Sequence, residues 1–92
     1  MEVTVKVFAT LRDIMDREST VDLTNDATIL QLLELLIGRH PGLYGELFDS
    51  PGKLKPYVNI LKNGRNVSFL SNLDTELDNG DTVAIFPPVA GG

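Results

Sequence analysis

The sequence ends Phe86-Pro87-Pro88-Val89-Ala90-Gly91-Gly92, and its last two residues are where this chain can do chemistry. Glycine has no Cβ, so Gly91 and Gly92 reach backbone angles closed to other residues and can thread a channel too narrow for side chains. At the tip of Gly92 is a free carboxylate, a poor electrophile until something activates it. An ATP-using partner can convert it to an acyl adenylate, which a sulfur or an amine nucleophile then attacks. The same two residues also read as a frayed end or a cloning scar, because termini are usually disordered. The residues before them have to decide between these readings.

Few other residues compete for a chemical role. There is no cysteine, which removes disulfides, thiolate metal ligands and thiol nucleophiles. His40 is the only histidine. With no second histidine and no cysteine near it, it reads as a helix cap or surface residue rather than a general base. Asp78 and Asp81 flank the turn at Gly80 and read as partners in local turn hydrogen bonds rather than an acid–base pair. Gly64 and Gly80 are isolated turn glycines, so the chain has no loop to cradle a phosphate, and no metal site is expected. Lys6, Lys53, Lys55 and Lys62 are the side-chain acceptors available if the protein modified itself, and the sequence does not rank them.

The elements that must position the end follow from composition and pattern. A length of 92 residues, 42% hydrophobic and 23% charged, fits one soluble globular domain. No apolar run approaches the roughly 20 residues needed to span a bilayer, and the longest, Leu32 to Ile37, is interrupted by Glu34. The N-terminus runs directly into a strand pattern, so no signal peptide is expected and the cytoplasm is the expected compartment. A net charge of −5 argues against a nucleic acid partner, which needs a concentrated basic surface. Asp74, Glu76, Asp78 and Asp81 form either a solvated acidic face or a feature that steers the protein toward a basic partner.

Val3, Val5 and Val7 alternate with Thr4, Lys6 and Phe8, the period of a half-buried strand. Thr20 to Leu23 repeat that pattern after a polar stretch, which predicts a hairpin with an irregular connection. Thr28 and Gln31 stand three apart in capping-box relation, and Ile29, Leu32, Leu33, Leu36 and Ile37 form an apolar stripe at helical spacing. Gly38 and Pro41 bracket the end of that helix. Between Pro41 and Pro56 the chain reads as loop, with one anchored helical turn at Leu43, Leu47 and Phe48. Tyr57 to Leu61 is expected to be a strand, Asn63-Gly64 a hairpin turn and Arg65 to Phe69 the return strand. A turn at Asp78 to Asp81 leads into a last strand, Thr82 to Phe86. The order is ββαββ with a final β, an α+β domain of one mixed sheet on one main helix.

This order, with Asn79-Gly80-Asp81-Thr82-Val83-Ala84-Ile85-Phe86 and the Pro-Pro-Val-Ala-Gly-Gly end, resembles the β-grasp, ubiquitin-like sulfur carriers and modifiers of the MoaD/ThiS group. Val5-Lys6-Val7-Phe8-Ala9-Thr10-Leu11-Arg12 is similar to the MoaD start, and the turn region Val58 to Gly64 looks like that of small archaeal ubiquitin-like modifier proteins. The resemblance covers the whole chain and implies a β-grasp domain over 1–88 followed by a flexible tail, 89–92. It implies that a ubiquitin-activating-type enzyme, using ATP and magnesium that the chain itself does not bind, adenylates Gly92. A sulfur donor then leaves a thiocarboxylate there, to be delivered to the large subunit of molybdopterin synthase. In the modifier branch, lysines of target proteins attack the activated tail instead. Either way the chain is a carrier or small subunit, not an enzyme by itself. A non-covalent interaction module with an inert tail is the remaining alternative.

In a β-grasp sheet the first and last strands are neighbours. If Val3, Val5 and Val7 face the helix, Phe8 points to the open face. If Val83 and Ile85 face the helix, Phe86 points the same way as Phe8, and Leu61 joins them by the same parity from Val58 and Ile60. Phe69 is added to this expected partner surface, although its strand is too short for parity to place it. Pro87 and Pro88 fix two φ angles and are expected to hold the tail off the sheet. Val89 and Ala90 are small enough to follow the glycines into a channel.

Overall fold

The computed structural model describes residues 1–88; Val89, Ala90, Gly91 and Gly92, which carry the reading of a reactive tail, lie outside the described residues. The alternating valines form β1 (Glu2–Val7), in which Val3, Val5 and Val7 are fully buried and Lys6 is exposed. The hairpin partner is β2 (Glu18–Asp22), antiparallel, with Val21 opposite Val3 and Glu18 opposite Lys6. Their connection is more ordered than expected, because Ala9–Asp13 wind into a short 3₁₀ helix that buries Leu11. Leu11 and, after it, Met15 give this segment core contacts, and the Arg12 Nε–H donates to the Val7 carbonyl at 3.0 Å.

The main helix, α1 (Ile29–Arg39), starts on the expected capping box. Thr28 Oγ1 accepts from the Gln31 N–H at 3.3 Å, and Gln31 Oε1 accepts from the Thr28 N–H at 2.8 Å, so each side chain satisfies an orphan amide. Ile29, Leu32, Leu33 and Leu36 are buried against the sheet's inner face, and Ile37 is half-buried. His40 closes the helix as its C-cap, its N–H donating to the Leu36 carbonyl at 2.8 Å. The next segment holds α2 (Leu43–Leu47), which buries Leu43 and Leu47 as the anchored turn predicts. It also holds a small hairpin, β3 (Phe48–Ser50) with β4 (Lys53–Leu54), where a loop is expected.

Three more strands complete the main sheet: β5 (Asn59–Lys62), β6 (Arg65–Asn66) and β7 (Thr82–Phe86). The order is β2-β1-β7-β5-β6, with β1 and β7 parallel and the other neighbours antiparallel. Val5 lies beside Val83, Val7 beside Ile85, and Ile85 opposite Ile60, so one face of the sheet is continuous with the α1 core. This is the expected two-layer α+β arrangement. Two strand ends differ from expectation. Tyr57 lies in a turn before β5, set by Pro56, and the return strand stops at Asn66. Asn66 Oδ1 accepts from the Ser68 N–H at 3.0 Å and diverts Val67–Phe69 into a 3₁₀ turn, a local side-chain bond that outcompetes the ladder.

The hairpin turn fixes the start of β7. Asn63 and Gly64 have φ of 49° and 85°, the left-handed pair a type I′ turn requires. Asn63 exchanges backbone and side-chain bonds with Thr82 at 2.8 and 2.9 Å, and its Nδ2 donates to Asp81 Oδ1 at 2.8 Å. The other oxygen of the buried Asp81 accepts from the Asp78 N–H at 2.8 Å and lies 3.6 Å from Lys62 Nζ. Asp81 therefore makes the turn hydrogen bonds read from the sequence, whereas the Asp78 carboxylate is exposed and faces Lys62 at 3.5 Å.

Burial alone pushes the Asp81 carboxyl up, but the Asp78 N–H, the Asn63 amide and the Lys62 charge together hold it below the ordinary carboxylate range. A depressed folded-state pKa adds stability that is complete above the unfolded-state pKa and is lost as pH falls through the folded one. Asp81→Asn is therefore expected to be less stable than wild type in urea unfolding at neutral pH, with the gap closing in acid below the ordinary carboxylate range. A gap independent of pH would show that Asp81 acts through shape alone.

Candidate functional site

On the outer face of the sheet Thr4, Leu61, Ala84 and Phe86 are half-buried and Lys6 is exposed, and the strand register gathers apolar groups at one end of this face. Leu61 sits opposite Ala84, and Asn59 opposite Phe86, on β5 and β7. Phe8, just past β1, stacks on Phe86 with ring centroids 4.3 Å apart and planes 9° from parallel. Phe8 and Phe86 are thus neighbours outside the core, as strand parity predicts, and both are half-buried. The Arg12 guanidinium lies 4.9 Å from the Phe8 centroid, a cation–π contact on the flank of the stack.

Beside the stack is an open groove of about 800 Å³, walled by Leu61, Phe69, Phe86 and Pro87 together with Tyr57 and Arg65. Four of the residues expected at a partner surface are therefore brought together. Phe8 contributes by backing Phe86. Pro87, largely buried, is a wall of the groove, and Pro88 is half-buried beyond it. In sequence, the last lining residue, Pro87, stands two residues before Val89. Phe69 is 84% exposed and Tyr57 73%, by far the most exposed large apolar side chains among the described residues. Strand reasoning misses Tyr57, yet the Pro56-Tyr57 pair is a turn signal that outweighs the β-propensity of an aromatic residue.

Other candidates resolve differently. Lys62 is committed, its Nζ donating to the Glu76 carbonyl at 2.9 Å, and Lys6 lies 3.7 Å from Glu18 in an exposed pair of small energetic weight. Lys53 is exposed and Lys55 half-buried. Among the described residues, no group of three or more His, Cys, Asp or Glu is arranged to hold a metal ion. No helix among them is long and apolar enough to cross a membrane. A second, smaller groove of about 380 Å³ lies on the helical side, between Leu30 and Ile37 of α1 and the Tyr44–Phe48 pair.

The model of the ThiS family matches residues 5–92, a span that takes in the open face, the groove and the diglycine end. The chain belongs to the ThiS family. This ThiS-family protein is 44% identical over 93 residues to small archaeal modifier protein 3 of Haloferax volcanii, covering all of both chains. It is 37% identical over 94 residues to the sulfur carrier protein CysO of Mycobacterium tuberculosis, again covering all of both. The crystal structure of SAMP1 from Haloferax volcanii matches with a TM-score of 0.85 at 35% identity over the full length of each chain. The fold is accordingly the ubiquitin-like β-grasp, and the family is one of sulfur carriers and ubiquitin-like modifiers.

Proposed function

We propose that this ThiS-family protein is a cytoplasmic sulfur carrier whose Gly92 carboxylate is activated by a ubiquitin-activating-type adenylating enzyme. A Gly92 carboxylate oxygen attacks the α-phosphorus of ATP, held with magnesium by the partner, and pyrophosphate leaves. The terminal sulfur of a persulfide then attacks the acyl carbon and AMP leaves. A second thiol cleaves the resulting acyl disulfide, carrying away the donor sulfur as a disulfide and leaving a thiocarboxylate at Gly92. The sulfur acceptor in this reading is the molybdopterin precursor bound by a molybdopterin synthase large subunit, in keeping with the MoaD-like Phe-Pro-Pro-Val-Ala-Gly-Gly end.

The observation that carries the proposal is the position of the apolar groove. It reaches Pro87, two residues before the tail, on the outer face of the sheet, where Leu61, Ala84 and Phe86 are only half-buried among the described residues. An enzyme that holds Gly92 in its active site has an apolar surface to dock on within reach of that tail. The chain's own contribution is to present the carboxylate and the docking face. A second reading, attachment of Gly92 to lysine amines of target proteins, is favoured by the 44% identity to a protein named as a modifier. Adenylation comes first in both.

The test is mass spectrometry of tagged protein recovered under denaturing conditions from its native host, as wild type and as Ala90→Lys, which lets trypsin cut just before Gly91. Free protein with one terminal oxygen replaced by sulfur is the expected result. Gly91-Gly92 remnants on lysines of other proteins, without the sulfur species, would replace the carrier reading with the modifier reading. Absence of both would leave an inert tail.

A further inference from the structure

We propose that Tyr57 and Phe69 form a preformed aromatic clamp through which the adenylating enzyme selects this protein, with a carboxylate of that enzyme meeting Arg65 between them. The inference rests on the reading that Gly92 is adenylated, and it adds the residues that decide which enzyme does so.

Tyr57 is in a conformation that the fold itself does not reward. The Val58 N–H donates to the Lys55 carbonyl at 3.3 Å, and Tyr57 has a φ of 70°, so Lys55-Pro56-Tyr57-Val58 is a type II turn with tyrosine where glycine or asparagine is favoured. Its ring is 73% exposed, so burial does not offset the backbone cost. Backbone strain carrying an exposed aromatic at the rim of a groove points to a role outside the fold. Phe69 shares the exposure without the strain, its ring 84% exposed at the end of a 3₁₀ turn.

One relay of hydrogen bonds holds both rims. Asn59 Nδ2 donates to the Tyr57 carbonyl at 3.3 Å, and Asn66 Nδ2 donates to Asn59 Oδ1 at 3.0 Å. Asn66 Oδ1 in turn accepts from the Ser68 N–H, next to Phe69, at 3.0 Å. Two asparagines thus fix the turn carrying Tyr57 relative to the turn carrying Phe69. A clamp set before docking loses less conformational freedom when a partner closes on it.

The chain length names the occupant. Pro87 walls the groove and Gly92 is five residues on, so the reacting carboxylate lies within about 18 Å of that wall even if the chain is fully extended. A protein that encloses Gly92 in its active site must sit against the groove. Among the described residues that line it, Arg65 alone is charged, on a chain of net charge −5, which calls for an acidic group on the enzyme at this point. Tyrosine and arginine are also the residue types in which interface energy concentrates.

The experiment is ATP–pyrophosphate exchange with the purified ubiquitin-activating-type adenylating enzyme of the same organism, using full-length wild type, Tyr57→Gly and Phe69→Ala. Each variant is expected to raise the KM for this protein by about tenfold, the effect of one hot-spot contact, with kcat within about twofold of wild type. Tyr57→Gly should unfold in urea at the same concentration as wild type or a higher one, which separates lost docking from lost folding. An unchanged KM in both variants overturns the clamp, as does a fall in kcat at constant KM. A wild-type dimer in sedimentation that Tyr57→Gly dissociates assigns the groove to a second copy and also overturns it. Absence of exchange with wild type instead removes the adenylation reading itself, a result distinct from exchange that ignores both variants.

Discussion

A protein lacking Gly91 and Gly92 is expected to show no ATP–pyrophosphate exchange with its adenylating enzyme while remaining as stable as wild type. The reacting carboxylate would then belong to Ala90, withdrawn by two residues, or roughly 7 Å of extended chain. Displacement of a reacting group by even about 1 Å can cost on the order of 100-fold, so a loss beyond about 1,000-fold is expected here. Stability should change by less than about 0.5 kcal/mol, because the last buried core residue of β7 is Ile85 and the groove wall ends at Pro87. Urea unfolding of the two proteins side by side, with the exchange assay, reads both halves of the expectation. Exchange at wild-type rate by the shortened chain would remove Gly92 from the mechanism.

The groove should continue to bind the enzyme in that shortened protein, since none of its walls is deleted. It is therefore expected to compete with wild type for the enzyme, with an inhibition constant near the wild-type KM. Competition without reaction would separate the two parts of the site: a surface that docks and a terminus that reacts.

Those two parts differ in how far they could be read from the sequence. The stack of Phe8 on Phe86 was legible because period-two alternation is rigid. Once Val3, Val5, Val7, Val83 and Ile85 are assigned inward, the phenylalanines have no other direction, and adjacency of the first and last strands brings them together. The capping box and the Asn63-Gly64 turn were legible for a similar reason, each being a local interaction completed within a few residues. Tyr57 and Phe69 were harder. Both lie in segments whose aromatic and β-branched residues favour a strand, and in both a side chain or a ring overrides that tendency: Pro56 forces the turn before β5, and Asn66 caps the 3₁₀ turn after β6. The relay from Asn59 to Asn66 spans two strands and emerges only from their register. The order of the connection between β1 and β2 was harder to read too, because Leu11, Ile14 and Met15 stand at i, i+3 and i+4 for a single turn only, too short a run for a helical period to stand out in a polar stretch.

Leu33→Ala is expected to have the opposite effect to the tail deletion, destabilising the fold while leaving docking and reaction intact. Leu33 is completely buried in the core that α1 shares with β1 and β7. Truncating such a leucine costs about 2–5 kcal/mol through lost transfer energy and the cavity left behind. Domains of this size have on the order of 5–15 kcal/mol in total, so the variant keeps only a fraction of its margin. Each kcal/mol lowers the midpoint of thermal unfolding by about 4–8 °C in a domain of 60–100 residues, which puts the expected fall at roughly 8–40 °C. The urea dependence should keep its slope, since the surface exposed on unfolding hardly changes. Well below that midpoint, the variant should support ATP–pyrophosphate exchange with kcat/KM within about threefold of wild type, because Phe86, Leu61 and Pro87 lie on the sheet face opposite to α1 and the tail is unaltered. A folded Leu33→Ala protein that fails to exchange would instead mean that the helical layer, with its own groove between α1 and the Tyr44–Phe48 pair, belongs to the docking surface.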